Sequence, residues 1–296
     1  MLALPDSPTA ALPLADWLEL QAMLSPDGNS SRGDLESALR PLSAFVGNND
    51  DAVEQKVMEV FNEVESRIRA AGRAYPFTLD YRRNGVIELK SQWTDFPAYT
   101  FCLCLSYFGW DTHATNEIDP PKLFEHVSCL AAKQYLRGEA IGFGSPRKQL
   151  PSSFASAVEK LCQLIGEGEG YSQYPTLNRQ DDTLDLVAWK DFTDRLPSKL
   201  IMFGQCAAGK DWKKKLPELQ PDAFVKLWMR RSPVSPIIRS FFVPHRADDQ
   251  DWWRLFSVKG GIFFDRCRVA FWAYDAQDDL AQQVAWTDAL LTQYRS

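Results

Sequence analysis

The spacing of apolar positions predicts helices over most of the first seventy residues. Between residues 51 and 71, apolar side chains recur at helical spacing with acidic residues and Arg67 between them, which is typical of an amphipathic helix. Residues 14–24 are predicted to form a shorter helix that ends at a Pro-Asp-Gly turn. Another short helix is predicted to begin with Asp34 as its N-cap and to run to Leu39. The chain is therefore expected to start with a mainly helical region.

The pattern becomes β-like between residues 75 and 108. The stretches YPFTLDYRRN, GVIELKSQW and YTFCLCLSYF are rich in aromatic and apolar residues, and Asn84-Gly85 between the first two is a strong hairpin signal. These stretches predict a small antiparallel sheet. The polar, turn-rich segment DTHATNEIDPP follows, and it indicates a domain boundary near Asp119.

Helical and strand-like segments alternate in the second half of the chain. Helices are predicted for KLFEHVSCLAAKQYL, for residues 153–165 and for DWKKKLPEL continuing into DAFVKLWMRR. LDLVAWKDF and KLIMFGQCA, which DRLPS connects, have the apolar content of buried strands. The expected fold class is α/β (α+β). Residues 1–118 form a mainly helical region with a small antiparallel sheet, and residues 119–296 form a mixed sheet flanked by helices.

Composition narrows the functional classes. With 45% hydrophobic and 24% charged residues, the 296-residue chain resembles an ordinary globular protein. It has no signal-like N-terminus and no long apolar run, so we expect neither export nor a membrane partner. Six cysteines without a CxxC pair are expected to be buried thiols in a reducing cytoplasm, and the spacing of the three histidines does not suit zinc. The net charge of −6 argues against nonspecific wrapping of a polyanion, although one basic groove remains compatible with a nuclease.

Candidate chemistry is concentrated in the two strands LDLVAWKDF and KLIMFGQCA. The first supplies Asp185, the second supplies Gln205 near its end, and Lys210 follows at the start of the next helix. Metal-dependent cleavage of a phosphodiester needs acidic oxygens for the metal and a group that supports the attacking water. Two adjacent strands with a short connection could bring these three side chains to one end of a sheet.

These residues resemble motifs II and III of the PD-(D/E)xK nucleases, in the variant with QC in motif III. The resemblance covers about residues 152–272 and implies a restriction-endonuclease-like nuclease core, in which a helix, a strand, the Asp strand and the (D/E/Q)xK strand follow one another. It implies that Asp185 and Gln205 are catalytic and bind Mg²⁺ or Mn²⁺. Ala207 stands where the family has its lysine, so Lys210 would be a migrated replacement.

Family members often carry a glutamate on the helix before the first strand, and several acids are candidates here. Glu159 is the preferred catalytic candidate, and the alternatives are Glu125, Glu167 and Asp182. Ordinary structural roles remain open for the main candidates. Asp185 could cap a turn or form a buried ion pair, Gln205 could hydrogen-bond within the sheet, and Lys210 and Glu159 could be solvated surface residues.

Several basic residues are candidates for nucleic-acid binding, although a solvated helix face is the alternative interpretation. They are Lys213, Lys214, Lys215, Arg147 and Lys148.

The function expected from the resemblance is Mg²⁺-dependent hydrolysis of nucleic acid, DNA rather than RNA. Bacterial proteins of this kind are often effectors of anti-phage defence or restriction. The alternatives are a catalytically silent scaffold subunit that keeps the nuclease fold and a hydrolase of an unrelated type. The acidic net charge also suggests that a protein partner or a homo-oligomer completes the groove.

Overall fold

The computed structural model describes most of the chain, in two compact units. The described residues are 2–5, 7, 9–42, 44–45, 50–110, 119–173, 182–247 and 250–295. The first unit comprises Met1–Pro120, Pro244–Asp248 and Arg266–Ser296, and the second comprises Pro121–Val243 and Asp249–Asp265. The predicted boundary near Asp119 is adjacent to this division, while the chain returns to the first unit twice after it.

Both units contain α-helices as well as β-strands. The helices are α1 (Ala11–Leu24), α2 (Arg32–Leu39), α3 (Asp50–Ala71), α4 (Pro97–Phe108), α5 (Pro120–Leu136), α6 (Phe154–Ile165), α7 (Trp212–Lys215), α8 (Pro221–Trp228), α9 (Gln250–Gly260), α10 (Arg266–Ala273) and α11 (Ala281–Thr292). The strands are β1 (Asn29–Ser31), β2 (Phe77–Asp80), β3 (Val86–Leu89), β4 (Glu139–Gly142), β5 (Leu186–Lys190), β6 (Leu200–Cys206), β7 (Ile238–Phe242) and β8 (Ile262–Phe264).

The first unit contains the predicted small antiparallel sheet, with strand order β1-β3-β2. Asn84 and Gly85 in the β2–β3 turn both have positive φ angles, of 58° and 75°, as the Asn-Gly signal predicts. The N-cap of α2 is Ser31, and its side chain and that of Asp34 form a reciprocal capping box. The prediction of Asp34 as N-cap was therefore wrong by three positions, because Asp34 fills the acidic third position of the motif.

The third strand of this sheet differs from the predicted one. Residues 99–108, which were predicted to be β-like, belong to helix α4, so that prediction is wrong. Residues Phe101–Leu105 are all completely buried. A segment that is apolar on every side has no amphipathic period, and its sequence pattern alone cannot separate a buried helix from a buried strand.

The second unit contains the predicted mixed sheet flanked by helices. Its strand order is β4-β5-β6-β7-β8, with antiparallel pairing from β4 to β6 and parallel pairing from β6 to β8. The two strands predicted from LDLVAWKDF and KLIMFGQCA are β5 and β6. The α/β (α+β) fold class, with a small antiparallel sheet and a larger mixed sheet, is confirmed.

The two faces of the larger sheet pack against different helices. Val187, Phe203 and their same-face neighbours form a core with residues of α6 and α8, including Leu161 and Phe224. Because side chains alternate along a strand, the residues between them face the other side. On that side, the Tyr135 ring of α5 lies 5.2 Å from the ring of Phe264. Helix α5 therefore covers the face opposite to α6 and α8.

None of the helices within the described ranges combines the length and the apolar content that a membrane crossing requires.

Candidate functional site

Asp185 is held at the end of the larger sheet, directly before β5. Its carboxylate atom Oδ2 accepts a hydrogen bond of 2.7 Å from the backbone N–H of Cys206. Its backbone carbonyl accepts from the N–H groups of Phe143 and Gly144, at 2.7 and 3.0 Å, and its own N–H donates to the carbonyl of Gly204. The residues after β4 and those at the end of β6 thus fix Asp185 from both sides.

The other carboxylate oxygen of Asp185 faces two charged side chains around Gly144. A Cβ atom on Gly144 would lie 3.1 Å from Asp185 Oδ1, 2.6 Å from Glu125 Oε2 and 2.9 Å from Lys122 Nζ. We call this group the Gly144 site, which consists of Lys122, Glu125 and Asp185 around Gly144. A side chain at this position would occupy the volume on which the three groups converge.

Helix α5 supplies two members of the Gly144 site. Lys122 and Glu125 are one turn apart, and the Lys122 ammonium lies 2.8 and 2.7 Å from the two oxygens of the Glu125 carboxylate. Their side chains are only 20% and 17% exposed, so water screens this pair less than a surface pair. With Asp185, the site contains two carboxylates and one ammonium.

Cys206 lies beside both carboxylates. Burial is the main cause that raises the pKa of its thiol well above the ordinary value, and the negative charges of Asp185 and Glu125 raise it further. Cys206 therefore remains a protonated thiol at neutral pH and is a poor nucleophile. Its electrostatic neighbours also show that the Cys206 side of β6 is the side that carries the Gly144 site.

Gln205 faces the other side of the sheet. Since side chains alternate along β6, Gln205 points away from the face of Cys206. Its amide nitrogen donates to Glu218 Oε2 at 2.9 Å, and its amide oxygen Oε1 is buried without a hydrogen-bond partner. The structure does not bring the Gln205 side chain together with the Asp185 carboxylate.

Lys210 lies outside the strands and helices. It is an exposed residue of the turn between β6 and α7, while Ala207, at the usual position of the motif lysine, is buried. Lys122 is the lysine whose ammonium contacts the Glu125 carboxylate of the Gly144 site.

The other acids predicted for the site have partners elsewhere. Glu159 on α6 accepts from the backbone N–H of Tyr171 at 2.8 Å and lies 3.5 Å from Arg230. Glu167 accepts from three backbone N–H groups, and Asp182 accepts from the indole of Trp228 at 2.7 Å. Of the four candidate acids, Glu125 is the one beside Asp185.

The predicted basic residues lie in two different surroundings. The Arg147 guanidinium lies 4.7 Å from the centre of the Phe143 ring and donates to the carbonyl of Ser152, so it packs against the protein. Lys148 is exposed. Lys213, Lys214 and Lys215 are exposed on α7.

The sequence reasoning missed Lys122 and Gly144. The signal that could have found Lys122 is its position three residues before Glu125 in PPKLFEHV, because residues three apart share one face of a helix. No comparable signal marks Gly144, since its importance comes from how closely α5 and Asp185 approach it.

The Gly144 site offers few ligands of its own for a metal. Within the ranges that the structure covers, no group of three or more His, Cys, Asp or Glu side chains is suited to hold a metal ion. The site supplies two carboxylates, from Glu125 and Asp185. The chain matches no protein-family model, no curated protein and no solved structure.

Proposed function

We propose that this protein is a Mg²⁺- or Mn²⁺-dependent nuclease that hydrolyses phosphodiester bonds, in DNA rather than RNA, at the Gly144 site. The observation that carries the proposal is the convergence of Asp185, Glu125 and Lys122 around Gly144. Two acids and a lysine at the end of a mixed sheet are the groups that the resemblance to PD-(D/E)xK nucleases requires.

The donor set fits Mg²⁺ when a phosphate is also present. Mg²⁺ is usually bound by one or two carboxylates together with waters and substrate phosphates, so Glu125 and Asp185 would hold it without a third acid. When bound, the metal ion would lower the pKa of a water molecule and neutralise charge on the phosphate. Gln205 is left out of this ligand set because its side chain faces the opposite side of β6.

Lys122 takes the role that the resemblance assigned to Lys210. Its ammonium is fixed by Glu125 and can donate a hydrogen bond to a phosphate oxygen or to the attacking water. A lysine supplied by α5 compensates for Ala207, the residue after β6.

The order of elements around the site supports the proposal. Helix α5, strand β4, the Asp185 segment with β5, and β6 follow one another along the chain, with α6 inserted between β4 and β5. Glu125 lies on the helix before the first strand of this series, where family members often carry a glutamate. A role in anti-phage defence or restriction, and a protein partner or homo-oligomer, remain proposals from the resemblance and the net charge.

Two observations favour a second function, that of a catalytically silent binding subunit. Gln205 faces away from Asp185 and Ala207 replaces the motif lysine. A protein that retained the fold after losing catalysis would show both features.

Cleavage assays on plasmid and oligonucleotide substrates decide between the two functions. We expect cutting with Mg²⁺ or Mn²⁺ and none with EDTA. Asp185→Asn and Glu125→Gln should lower the rate by at least about 100-fold, while Glu159→Gln should cut like wild type. Lys122→Met should reduce cutting, while Lys226→Met, at an exposed lysine of α8, should not.

Two results would contradict the proposed nuclease function. Cleavage that survives Asp185→Asn would mean that the site is wrong. Nucleic-acid binding without any cleavage by the wild-type protein would establish the silent binding subunit instead.

A further inference from the structure

An exposed tryptophan lies beside a lysine on the surface of the second unit. Trp252 on α9 is 50% exposed, although large aromatic side chains are usually covered. The Lys213 ammonium of α7 lies 5.9 Å from the centre of the Trp252 ring. The two side chains present an aromatic surface and a positive charge to the same region of solvent.

Buried aromatic residues hold this surface in place. The rings of Trp212 on α7 and Phe256 on α9 are in edge contact at 4.9 Å, and both residues are at most 5% exposed. Phe256 also packs against the Phe263 ring of β8 at 5.5 Å. Trp252 stacks on Phe256 one helical turn away, with 22° between the ring planes. The exposed Trp252 side chain therefore packs on a buried aromatic cluster that restricts its movement.

Exposed basic residues lie on both helices that carry this surface, in contrast to the net charge of −6 of the whole chain. Lys213, Lys214 and Lys215 are exposed in consecutive positions, and Arg254 and Lys259 are exposed on α9. Asp211 lies 3.8 Å from Lys214, and this exposed pair is weak enough to exchange for a phosphate.

We infer that Trp252 and the lysines of α7 bind a single-stranded nucleic acid, with an unpaired base stacked on the indole and its phosphates near Lys213, Lys214 and Lys215. The π-face of a base can stack on a protein ring only when the base is not enclosed between its neighbours in a duplex. This inference rests on the proposed nuclease function and narrows its substrate to nucleic acid with unpaired bases.

The Trp252 surface and the Gly144 site lie on opposite faces of the larger sheet, near the end of β6. Strand β6 ends at Cys206, whose N–H bonds Asp185, and α7 begins at Trp212 after a short turn. Trp212 packs against Phe241, which pairs with Gln205, so α7 lies against the face of the sheet opposite to Cys206. A nucleic-acid strand bound by the lysines of α7 would therefore have to pass the end of β6 to reach the Gly144 site.

Fluorescence anisotropy with a labelled oligonucleotide of about 12 nucleotides tests the inference, since the site sizes of single-strand binders are of this order. The full-length protein is used in EDTA, so that binding is measured without cleavage. Trp252→Ala should weaken binding by about 5- to 150-fold, the factor that corresponds to about 1–3 kcal/mol of stacking. Trp252→Phe should retain most of the affinity, and Trp110→Ala, at another half-exposed tryptophan, should bind like wild type.

The lysines are tested by the salt dependence of the same binding. Replacing Lys213, Lys214 and Lys215 together by alanine should reduce the slope of log K against log salt concentration by about 2, since each single-strand phosphate contact contributes about 0.7. Lys226→Ala, at an exposed lysine of α8, should leave the slope unchanged.

Three results would overturn the inference. They are no binding of single strands by the wild-type protein, equal binding by wild type and Trp252→Ala, or equal loss of single-strand and duplex binding in Trp252→Ala. Because these measurements contain no metal, they are independent of cleavage. A protein that binds through Trp252 but does not cut would refute only the nuclease, and one that cuts without Trp252-dependent binding would refute only this inference.

Discussion

The absence of a side chain at Gly144 leaves the space in which the groups of the candidate site meet. The three nearest atoms to a Cβ at this position are the ends of flexible side chains, at 2.6, 2.9 and 3.1 Å. Gly144→Ala should therefore leave the fold intact while it pushes the two carboxylates and Lys122 apart. We expect a melting temperature close to that of wild type and a cleavage rate at least about tenfold lower, since small misplacements of catalytic groups are costly.

Gly142→Ala is the matched control, because a Cβ on Gly142 would have no atom within 4 Å. Calorimetric titration with Mn²⁺ should show weaker binding to Gly144→Ala than to Gly142→Ala. Equal cleavage and equal Mn²⁺ affinity of the two variants would mean that the Gly144 site is not where the chemistry occurs.

At the residue scale, the sequence identified Asp185 but not all of its neighbours. Glu125 was one of several possible acids, because the spacing of residues along the chain does not say which helix covers which face of a sheet. Gln205 was expected beside Asp185. In a regular strand, residues three positions apart face opposite sides, yet Leu184 and Val187 both pack in the core on the Gln205 side of the sheet. The alternation of side chains is interrupted at Asp185, and such an irregularity is invisible in the sequence.

Glu167 connects three loops of the second unit. Its Oε1 atom accepts from the N–H groups of Ser198 and Lys199, at 3.0 and 3.1 Å, and its Oε2 atom accepts from Val234 at 2.7 Å. The residue is 7% exposed, so water is largely excluded from its carboxylate. The carboxylate thus ties the segment after α6 to the β5–β6 and α8–β7 connections.

Glu167→Gln should destabilise the protein, because an amide group places a donor against backbone donors. The expected loss is about 1–3 kcal/mol in the free energy of unfolding, measured by urea denaturation. Glu169→Gln is the control two residues away, since its carboxylate forms an exposed pair with Arg231 and should contribute at most about 1 kcal/mol. Equal stability of the two variants would contradict this role of Glu167.

At the element scale, amphipathic sequence patterns predicted the secondary structure correctly, and the uniformly apolar pattern of α4 did not. The periodic segments around residues 51–71 and 153–165 are helices close to their expected bounds, as α3 and α6. Helix α4 was predicted to be a strand because its residues are buried on all sides, and only its packing decides its conformation.

A buried ionic cluster joins distant parts of the first unit. Arg67 and Arg266 are completely buried, and an Nη1 atom of each lies 2.7 Å from Asp16 Oδ1. Glu19 lies 3.0 Å from Arg67, and Glu63 lies 2.6 Å from it. A buried charge that loses its partner costs about 3–5 kcal/mol, so the cluster makes segments from both ends of the unit depend on one another.

The same cluster predicts a dependence of stability on pH. Burial alone would raise the pKa of Asp16, but the charges of Arg266 and Arg67 outweigh it and hold the pKa below its ordinary value. A carboxylate with a lowered folded pKa stabilises the protein fully above its unfolded pKa of about 3.9, and this stability is lost as pH falls through the folded pKa.

Asp16→Asn should therefore destabilise the first unit by about 3–5 kcal/mol at pH 7. The difference from wild type should begin to shrink below about pH 4, where Asp16 of the unfolded chain binds a proton, and it should vanish only below the lowered folded pKa. Urea denaturation at pH 7 and pH 3 measures both values. Asp275→Asn, in an exposed pair with Arg73, should cost at most about 1 kcal/mol. A destabilisation by Asp16→Asn that is the same at both pH values would contradict the argument.

The return of the chain to the first unit has a consequence for biosynthesis. Helices α10 and α11 pack against α4, and Trp286 of α11 covers Phe101 at 5.3 Å between ring centres. During translation, residues 121–243 leave the ribosome before these helices do. Until then, the apolar surface of α4 is uncovered, and the ionic cluster of Arg67 and Asp16 lacks Arg266. We therefore expect the first unit to be most exposed to aggregation and to proteases before these two helices have been synthesised.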